Sequence, residues 1–569
     1  MSERQKIVVI GGVAAGPKAA ARARRCNPDT EIVMLERGKM TSYAGCGLPF
    51  FISGMIHDFS ELYKTSYGVA RDEGYFGKEK NIKLYTRTEA VAVDREAKKV
   101  KAVNLETNEE LEFEYDKLIL ATGATPFVPP IEGINLDGVY QLNHPDDALK
   151  INNALDTGEI ENAVIVGAGL IGMESADALF NKMVEVTIVE FQNQVLPGLL
   201  DPDIAAKLQQ HMYDEGATIY TGDKVLKIEG DESGKVKGVV TEKKGFIECQ
   251  MVITAVGVRP NVKLAKEAGL EIGETGAILV NEYMQTSDPD IYACGDCVEN
   301  IHLITGKKVY APMATYANRH GRVVGDNVTG GNSKVTGILG TGVAEVFEMN
   351  IGRTGLGEVQ AKNLGYDVVT TVVSDLDRTH YHPAHKLIQI KLIADAKTKR
   401  VLGAQGIGAG DVVKRIDVIA AAITFGAKVD DILNIDLGYA PPFSTPIDPL
   451  MGAASVIKNK EAGLAATITA QELKEKLERG DDIVVLDVRT ADQFKTKHIQ
   501  DDRVIQIALG DLRDQIDKVP KEKEIIVICP MGRRAYEASR ILQSAGCKDA
   551  KFLEGGLNMW TYDLEIKRK

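Results

Sequence analysis

The amino-acid sequence predicts an α/β protein of several domains. At roughly 150 residues per domain, the 569 residues of the chain predict about four domains. Two segments, KIVVIGGVAAGPKAAARARR and AVIVGAGLIGMESADAL, each join a β-branched strand to a helix through a glycine turn. A third observation is that helix and strand patterning begins afresh near residue 467, after VIKNKEAGLAA. We therefore expect two nucleotide-binding units and a separate C-terminal α/β domain.

Composition and charge exclude several classes of protein. Hydrophobic residues make up 44% of the chain and charged residues 26%, which is ordinary for a soluble α/β protein. The net charge of −13, from 68 basic and 81 acidic residues, disfavours nucleic acid as a partner, because phosphate backbones attract clustered lysine and arginine. Apolar stretches such as VIAAAITF, residues 418–425, are too short to span a bilayer.

Cysteine usage and the N-terminus indicate the compartment. The stretch MSERQKIVVIGG has no apolar h-region and no small-residue cleavage site. The seven cysteines are scattered, unlike those of a secreted disulfide scaffold: Cys26, Cys46, Cys249, Cys294, Cys297, Cys529 and Cys547. We predict a cytoplasmic protein without a membrane partner. The nine histidines show no ligand spacing with carboxylates or cysteines, so no metal is expected.

The first glycine unit has the order that binds a pyrophosphate. A short strand leads into Gly11, and a helix follows from about Gly16. Backbone N–H groups at such a helix N-terminus can face a phosphate, and Glu36, at the end of the next strand, can accept ribose hydroxyls. The middle position of G-x-G-x-x-G is Val13 instead of glycine.

The second unit has the complete pattern, with Gly167, Gly169 and Gly172 followed by a strand that ends at Glu190. A carboxylate at Glu190 favours NADH, since it would repel the 2′-phosphate of NADPH. One such motif alone could be a tight turn in any α/β domain. Two units in one chain, each with a strand, a turn, a helix, a second strand and a terminal acid, predict two dinucleotides and therefore an electron relay.

Further segments resemble a known family. The segments LILATGATP, TAVGVRPN and TSDPDIYACGD follow the glycine units in a fixed order. Together they resemble the two-dinucleotide flavoprotein disulfide reductases over about residues 1–450. The resemblance implies FAD on the first unit and around Asp296, NAD(P)H on the middle unit, and a dimerisation domain after about residue 330. It also implies that the helix containing residues 316–322 points its N-terminus at the pyrimidine edge of the flavin.

The cofactor-binding residues predicted from these motifs are Gly11, Gly12, Ala15, Gly16, Glu36, Arg37, Ser42, Ala121, Thr122, Gly123, Gly167, Gly169, Leu170, Ile171, Gly172, Glu190, Gly257, Gly295 and Asp296. Cys294 and Cys297 flank Asp296 with the spacing C-x-x-C, which could be a thioredoxin-like dithiol. Because Asp296 is better used on the ribityl chain of FAD, we interpret the two cysteines as small packing residues of the cofactor loop.

Cys46 lies between two glycines in SYAGCGLPFF, shortly after the first unit. A second cysteine would complete a C-x4-C redox pair at position 51, but that residue is Phe51. A thiol at the N-terminus of a helix is readily ionised, and its thiolate is the nucleophile; the alternative is a buried packing cysteine. The segment resembles the single-cysteine branch of the superfamily, which contains coenzyme A-disulfide reductases, persulfide reductases and NADH oxidases or peroxidases.

In coenzyme A-disulfide reductases and persulfide reductases, the thiol that pairs with the single cysteine comes from coenzyme A. Tyr381 in RTHYHPAH and Tyr439 in LGYAPPFS resemble the paired tyrosines that the partner subunit of a homodimer offers to the CoA sulfur. A tyrosine hydroxyl can stabilise a leaving thiolate, although either tyrosine alone could be a half-buried interface residue. Arg22 is a candidate contact for the CoA phosphates, and a solvated arginine on a helix face is the alternative.

The C-terminal segment EIIVICPMGRRAYEASRILQSAG places Cys529 after a strand and before a helix. Backbone N–H groups, the helix dipole and Arg534 would hold an anionic sulfur species there. With DVR at 487–489, KHI at 497–499 and EGGLNMW at 554–560, residues 467–569 resemble a single rhodanese domain, although Lys497 stands where glycine is usual. A phosphatase-like loop and a rhodanese-like module used only for binding are the alternatives.

The whole chain resembles the coenzyme A-disulfide reductase–rhodanese fusions. The resemblance implies six segments: an FAD-binding domain at 1–150 and 266–329, an NAD(P)H-binding domain at 151–265, a dimerisation domain at 330–455, a linker at 456–466 and a rhodanese domain at 467–569.

This resemblance predicts a flavoprotein that uses NADH to reduce CoA persulfide, polysulfide or CoA disulfide through FAD and Cys46. Cys529 would deliver sulfane sulfur to CoA or towards Cys46. Three alternatives stay open. They are an NADH oxidase that cycles Cys46 through sulfenic acid, a CoA-disulfide reductase with an accessory rhodanese domain, and a non-enzymatic sulfur-carrier or redox-sensing scaffold.

Overall fold

The structure, a computed structural model, describes residues 4–566. These residues form two compact units, one of residues 4–191 with 223–338 and the other of residues 192–222 with 339–566. Both units contain parallel sheets with helices, so the predicted α/β class is confirmed. Among the described residues, no helix is both long enough and apolar enough to cross a bilayer.

A parallel sheet of five strands carries the N-terminal glycine turn. The strand Lys6–Ile10 is buried from Ile7 onward, as expected for a strand covered on both faces. Across the sheet the order is Ile291–Ala293, Lys117–Leu120, Lys6–Ile10, Glu31–Leu35 and Lys83–Tyr85. Because Ile291–Ala293 comes from much later in the chain, two separate stretches of sequence build this one sheet.

Two helices beside this sheet approach each other through glycines. A Cβ atom on Gly321 would lie 2.5 Å from the carbonyl oxygen of Ala15, and one on Gly325 would lie 2.7 Å from that of Ala19. Helix Ala314–Asn327 therefore contacts helix Ala15–Cys26 at a distance that a side chain would not allow. The other helices of this unit are Leu48–Ile52, Glu73–Lys80, Pro145–Asp156, Leu170–Phe180 and Lys263–Glu267, with 3₁₀ turns at Gly45–Gly47 and Phe59–Leu62.

A second parallel sheet in the same unit carries the second glycine turn. Its strands within the unit lie in the order Glu185–Glu190, Asn162–Val166, Met251–Thr254 and Val139–Tyr140. Two antiparallel sheets of three strands flank the parallel sheets: Thr88–Asp94, Lys99–Asn104 and Glu110–Glu114; Val225–Gly230, Val236–Thr241 and Gly245–Glu248. Two pairs complete the unit: Ala124–Pro126 with Val258–Pro260, and Asn300–Ile301 with Lys308–Val309.

The second unit begins with an antiparallel sheet of five strands. Their order is Gly342–Val346, Met349–Gly355, Val401–Gly408, Leu387–Asp395 and Val368–Leu376, so Val368–Leu376 is an edge strand. Residues 192–222 pack onto this sheet and contain helix Pro202–Asp214 and strand Thr218–Thr221. The remaining helices of this part are Glu358–Asn363, Val413–Thr424, Val429–Asn434 and Pro449–Glu461.

Lys391 joins residues 192–222 to the antiparallel sheet. Its ammonium group lies 2.7 Å from Glu358, 2.9 Å from Asp203 and 3.3 Å from Asp201, and its side chain is only 3% exposed. Asp201 also accepts hydrogen bonds from the backbone N–H groups of Glu358 and Val359, at 2.7 and 3.2 Å. A buried lysine is tolerated here because three carboxylates surround it.

The C-terminal domain has a parallel sheet of its own. Its strands lie in the order Thr467–Ile468, Ala550–Leu553, Glu524–Ile528, Ile483–Asp487 and Val504–Gln506, and Lys497–His498 pairs with Glu565–Ile566. Its helices are Ala470–Arg479, Ala491–Thr496 and Arg533–Ser544, with 3₁₀ turns at Leu509–Asp511, Ile516–Lys518 and Gly556–Met559. Asp487 and Arg489 of the DVR motif form a buried ion pair at 2.6 Å.

The linker predicted at 456–466 is wrong over its first half, since helix Pro449–Glu461 includes residues 456–461. Asp448 caps this helix by accepting a hydrogen bond from the N–H of Leu450 at 3.0 Å. Leu450, Ala453, Ala454 and Ile457 are buried at helical spacing and hold the helix against the unit. Only residues 462–466 connect it to the C-terminal domain.

Candidate active sites

The first glycine turn is fixed by backbone contacts. Gly11 has φ +110°, and a Cβ atom on Gly16 would overlap the carbonyl oxygen of Gly11. These positions require glycine, whereas Val13 is accommodated between them. The Glu36 carboxylate accepts hydrogen bonds from the N–H groups of Gly12 and Gly38, both at 2.7 Å, so it is held against the turn where a ribose would lie.

The second glycine turn repeats this arrangement. Gly167 has φ +104°, and Glu190 accepts a hydrogen bond from the N–H of Ala168 at 2.7 Å. A Cβ atom on Gly172 would overlap the carbonyl oxygen of Gly167, while the space beside Gly169 is open. An open position before helix Leu170–Phe180, which begins with the predicted Leu170 and Ile171, fits a bound pyrophosphate.

The other predicted cofactor residues line the first unit in several loops. Thr122 donates to the carbonyl of Asn261 at 2.7 Å, and Gly123 and Gly257 have positive φ angles with open space beside them. Ala121 follows strand Lys117–Leu120 directly. Arg37 is exposed, and the N–H of Ser42 bonds to the carbonyl of Gly12 at 2.8 Å.

The surroundings of the Asp296 carboxylate indicate whether this unit can hold a flavin. Its carboxylate makes no hydrogen bond to any residue between 4 and 566, and burial raises its pKa to about 6. Gly295 has φ +82°, and a Cβ atom there would lie 2.9 Å from Ala15, so the loop lies directly against the first glycine turn. An unpartnered, partly buried carboxylate beside a phosphate-binding turn fits the polyhydroxyl chain of FAD.

Cys46 lies in the 3₁₀ turn Gly45–Gly47, just before helix Leu48–Ile52. Solvent reaches the residue, but protein surrounds its thiol, and this burial raises the pKa of Cys46 above its ordinary value. The negative charges of Glu174 and Asp296 raise it further. The expectation of a readily ionised thiol is therefore wrong for the chain by itself, because a helix of five residues does not offset burial beside two carboxylates.

Sequence reasoning missed Glu174, which follows the second glycine motif on helix Leu170–Phe180. Burial raises the pKa of Glu174 to about 7, with a smaller contribution from Asp177. The sequence offers no signal for this residue, because its proximity to Cys46 arises only when the two glycine units fold together.

The remaining cysteines near the cofactor loop behave as packing residues. Cys294 and Cys297 are both fully buried and both have free thiols. The Cys297 thiol points at the carbonyl oxygens of Cys294 and Leu120, at 3.3 and 3.6 Å. Burial raises the pKa of both thiols, which opposes use as a redox dithiol.

The two predicted tyrosines lie together. The hydroxyl groups of Tyr381 and Tyr439 are 3.5 Å apart, and the residues are 63% and 47% exposed. Tyr439 also lines a groove of about 620 Å³ with Arg378, Lys414 and Phe443. Two exposed hydroxyls at one point form a donor pair that a second molecule can reach.

Arg22 is committed to an ion pair with Asp326 on the neighbouring helix. Asp326 in turn accepts hydrogen bonds from Ser333 at 2.8 Å and from Cys26 at 3.3 Å. The structure therefore supplies a packing role for Arg22.

The Cys529 loop follows strand Glu524–Ile528 and directs a backbone N–H group at the cysteine sulfur. Cys529 is 1% exposed, and the N–H of Gly532 points at its sulfur at 3.1 Å. Gly532 has φ +94°, which lets the chain turn into helix Arg533–Ser544. Arg534 donates to Gln493 at 3.1 Å rather than to the sulfur.

Three parts of the chain match models of known protein families. Residues 5–321 match the family model of pyridine nucleotide-disulphide oxidoreductases, residues 343–449 match the dimerisation domain of these oxidoreductases, and residues 469–563 match the rhodanese-like domain.

Individual relatives agree with these matches. The structure of a NAD-dependent persulfide reductase from A. fulgidus superposes with a TM-score of 0.93 at 44% identity, covering 98% of this chain and 100% of that one. An NAD(P)H coenzyme A polysulfide/persulfide reductase of Pyrococcus horikoshii is 38% identical over 455 residues, 80% of this chain and 99% of its own. An NADH oxidase of Methanocaldococcus jannaschii is 39% identical over 449 residues, 79% of this chain and 98% of its own.

Proposed function

The chain belongs to the pyridine nucleotide-disulphide oxidoreductase family, and on that premise we propose that it is a coenzyme A-dependent persulfide and polysulfide reductase with a built-in sulfurtransferase domain. It uses FAD and NAD(P)H, and CoA persulfide, polysulfide or CoA disulfide is the substrate. FAD supplies a two-electron relay from NADH to sulfur when both are bound.

The observation that carries this proposal is the combination in one chain of two free cysteines, Cys46 beside the first glycine unit and Cys529 in the C-terminal domain. Position 51, where a second redox cysteine would stand beside Cys46, holds Phe51, whose ring packs edge-on against Phe59 at 4.8 Å. Cys46 must therefore borrow its redox partner from another molecule. Cys529 lies in the loop of a rhodanese-like domain, whose chemistry is the transfer of sulfane sulfur.

In the proposed reaction the Cys46 thiolate attacks the outer sulfur of CoA persulfide. A new S–S bond forms on Cys46, the original S–S bond breaks, and CoA thiolate leaves. Two electrons and a proton then release hydrogen sulfide and restore the Cys46 thiolate. With CoA disulfide, the same attack releases one CoA and leaves the second as a mixed disulfide on Cys46, which the same reduction frees.

Tyr381 and Tyr439 are proposed to donate hydrogen bonds to the departing CoA thiolate. Their hydroxyls are adjacent and exposed, which supports a role towards a molecule outside their own unit. The dimerisation domain indicates a homodimer. We propose that each subunit offers its tyrosines to Cys46 of the other.

Cofactor choice and location complete the proposal. Glu190 closes the second glycine turn with a carboxylate, which supports NADH as the preferred donor. All seven cysteines are free, which supports the reducing cytoplasm as the location.

A test compares flavin reoxidation by CoA persulfide, CoA disulfide, polysulfide and oxygen on one preparation in a stopped-flow instrument. We expect the sulfur substrates to reoxidise the reduced enzyme far faster than oxygen does. Cys529→Ser should slow turnover with thiosulfate or polysulfide plus CoA and leave CoA disulfide reduction unchanged. The proposal is wrong if oxygen is the fastest oxidant.

An NADH oxidase is the second candidate, favoured by the similarity to the M. jannaschii protein of that name. In that case Cys46 would cycle through a sulfenic acid, and NADH consumption under air would need no thiol substrate.

A further inference from the structure

The C-terminal domain docks onto the free edge of the antiparallel sheet through a pair of charged residues, Lys460 and Glu554, called the clasp below. Lys460 forms an ion pair with Glu554 and donates to the carbonyl of Thr370 at 2.6 Å. Glu554 accepts from the N–H of Val372 at 3.3 Å and from Thr467 at 2.7 Å. The clasp thereby satisfies backbone groups of the edge strand Val368–Leu376 that no neighbouring strand can reach.

The same edge strand also contacts the segment that supports the Cys529 loop. Ser374 donates to the carbonyl of Gly555 at 2.7 Å. Two residues later, the N–H of Leu557 donates to the carbonyl of Cys529 at 2.9 Å, and that of Asn558 donates to the carbonyl of Pro530 at 3.1 Å. One side of the Cys529 loop is therefore held, through residues 555–558, by the antiparallel sheet.

Asp375 holds the other side of the loop. It forms an ion pair with Arg533, the residue directly after Gly532, whose N–H points at the Cys529 sulfur. The Asp375 side chain is 11% exposed and Arg533 is 65% exposed, so the carboxylate fixes the arginine from a buried position. Burial raises the pKa of Asp375, and the charge of Arg533 opposes that rise and favours the ionised pair.

We propose that Asp375 is a positioning residue for the sulfur-carrying loop: through Arg533 it fixes the Gly532 N–H against the sulfur of Cys529. The proposal rests on the proposed function only in that Cys529 carries the sulfur. A hydrogen bond from a fixed N–H group stabilises a thiolate or persulfide anion more than the neutral thiol. The reactivity of Cys529 thus depends on a residue of another domain.

An effect of charge on Cys529 can be distinguished from an effect of positioning, because Asp375 and Arg533 have opposite charges. Asp375→Asn removes a negative charge and Arg533→Gln removes a positive one, so a pure field effect would move the pKa of Cys529 in opposite directions. Loss of positioning moves it upward in both. Because the two residues act as one unit, the double variant should be no worse than either single variant.

The experiment uses the full chain loaded with FAD. The rate of Cys529 alkylation by iodoacetamide is followed against pH by peptide mass spectrometry, and sulfur transfer is measured with thiosulfate and cyanide as thiocyanate release. In that reaction the Cys529 thiolate takes the outer sulfur of thiosulfate and releases sulfite. Cyanide then takes this sulfur and restores the thiolate.

Both single variants should raise the midpoint of alkylation by roughly one pH unit, the size expected for weakening one hydrogen bond to a charged sulfur. Sulfur transfer should fall about tenfold in both, and Asp375→Glu should recover part of it. Asp482→Asn is the matched control. It removes the ion pair with Lys523, at the opposite end of the parallel strands from Cys529, and should change neither measurement.

Midpoints that move in opposite directions, or remain at the wild-type value, would overturn the positioning role. Full sulfur transfer by Cys529→Ser would instead refute the sulfur-carrier assignment. The alkylation midpoints would still decide on Asp375 in that case, because they report on the loop directly.

Discussion

Replacing Lys391 by methionine should destabilise the second unit strongly. Methionine keeps the length of the side chain but removes the charge that three carboxylates share. Removing one partner of a buried ion cluster leaves the other charges without compensation, and such changes cost about 3 to 5 kcal/mol. Asp201 retains its backbone hydrogen bonds, so Asp203 and Glu358 bear most of the loss.

The contribution of Glu358 to this loss of stability can be worked out from its pKa. Burial alone would raise that pKa, but Lys391 and Lys362 outweigh burial and lower it from 4.5 to about 2. This net shift corresponds to roughly 3 kcal/mol at neutral pH, and it is what remains after burial has offset part of the attraction to Lys391 and Lys362.

The pH dependence of this stability difference follows from the pKa shifts of Glu358 and Lys391. The pKa of Glu358 is lowered, so its contribution is complete above about pH 4.5 and disappears as the pH falls towards 2. The pKa of Lys391 is raised above 10.5, so its contribution is complete below that pH and is lost at higher pH. The difference between wild type and Lys391→Met should therefore be constant near neutral pH and shrink below pH 4.5.

Thermal unfolding followed by circular dichroism measures this effect. At about 2 °C per kcal/mol for a unit of this size, the unfolding midpoint should fall by roughly 6 to 10 °C at pH 7. The matched control is Lys362→Met, which removes the exposed partner of Glu358 and should shift the midpoint by less than about 2 °C. Equal shifts in the two variants, or a more stable Lys391→Met, would refute the reasoning.

Three further changes test the active sites. Glu174→Gln should lower the pKa of Cys46, because it removes one of the charges that raise this pKa. The pH profile of Cys46 alkylation should therefore move to lower pH. An unchanged profile would contradict the electrostatic coupling between Glu174 and Cys46. Tyr439→Phe should slow reduction of CoA disulfide about tenfold without affecting reduction of the flavin by NADH, and equal turnover would exclude the hydroxyl as a donor to the leaving thiolate. Glu190→Gln should raise the ratio of kcat/KM for NADPH over NADH about tenfold, because it removes the repulsion of the 2′-phosphate; a constant ratio would place cofactor selection elsewhere.

Features set by neighbouring residues could be predicted from the sequence. Each glycine turn is a local arrangement of strand, turn and helix, and Glu36 and Glu190 lie in the structure beside the turns as their spacing predicts. The helix at Pro449–Glu461 also had a local signal, in the Asp448-Pro449 start and the apolar spacing after it. The segment VIKNKEAGLAA, residues 456–466, is nevertheless predicted from the sequence as a linker.

Features that depend on distant contacts could not be predicted. The sequence singled out Arg534 from its motif, yet Arg533 is the arginine that pairs with Asp375, 158 residues earlier in the chain. Burial raises the pKa of Cys46, and Glu174, which belongs to the other glycine unit, raises it further. Spacing along a chain predicts which chemistry a segment carries, while the groups that tune it come from wherever the fold brings them.

The clasp has a consequence for chains that end before the C-terminal domain. The P. horikoshii relative covers 99% of its own length in a match to 80% of this chain. Cutting this protein after residue 466 would remove Glu554, which accepts the hydrogen bond from the N–H of Val372 in the edge strand Val368–Leu376, while Lys460 would remain. Such an uncovered strand invites pairing with a second molecule, so the shortened protein should aggregate more readily unless a substituted lysine or proline blocks the strand.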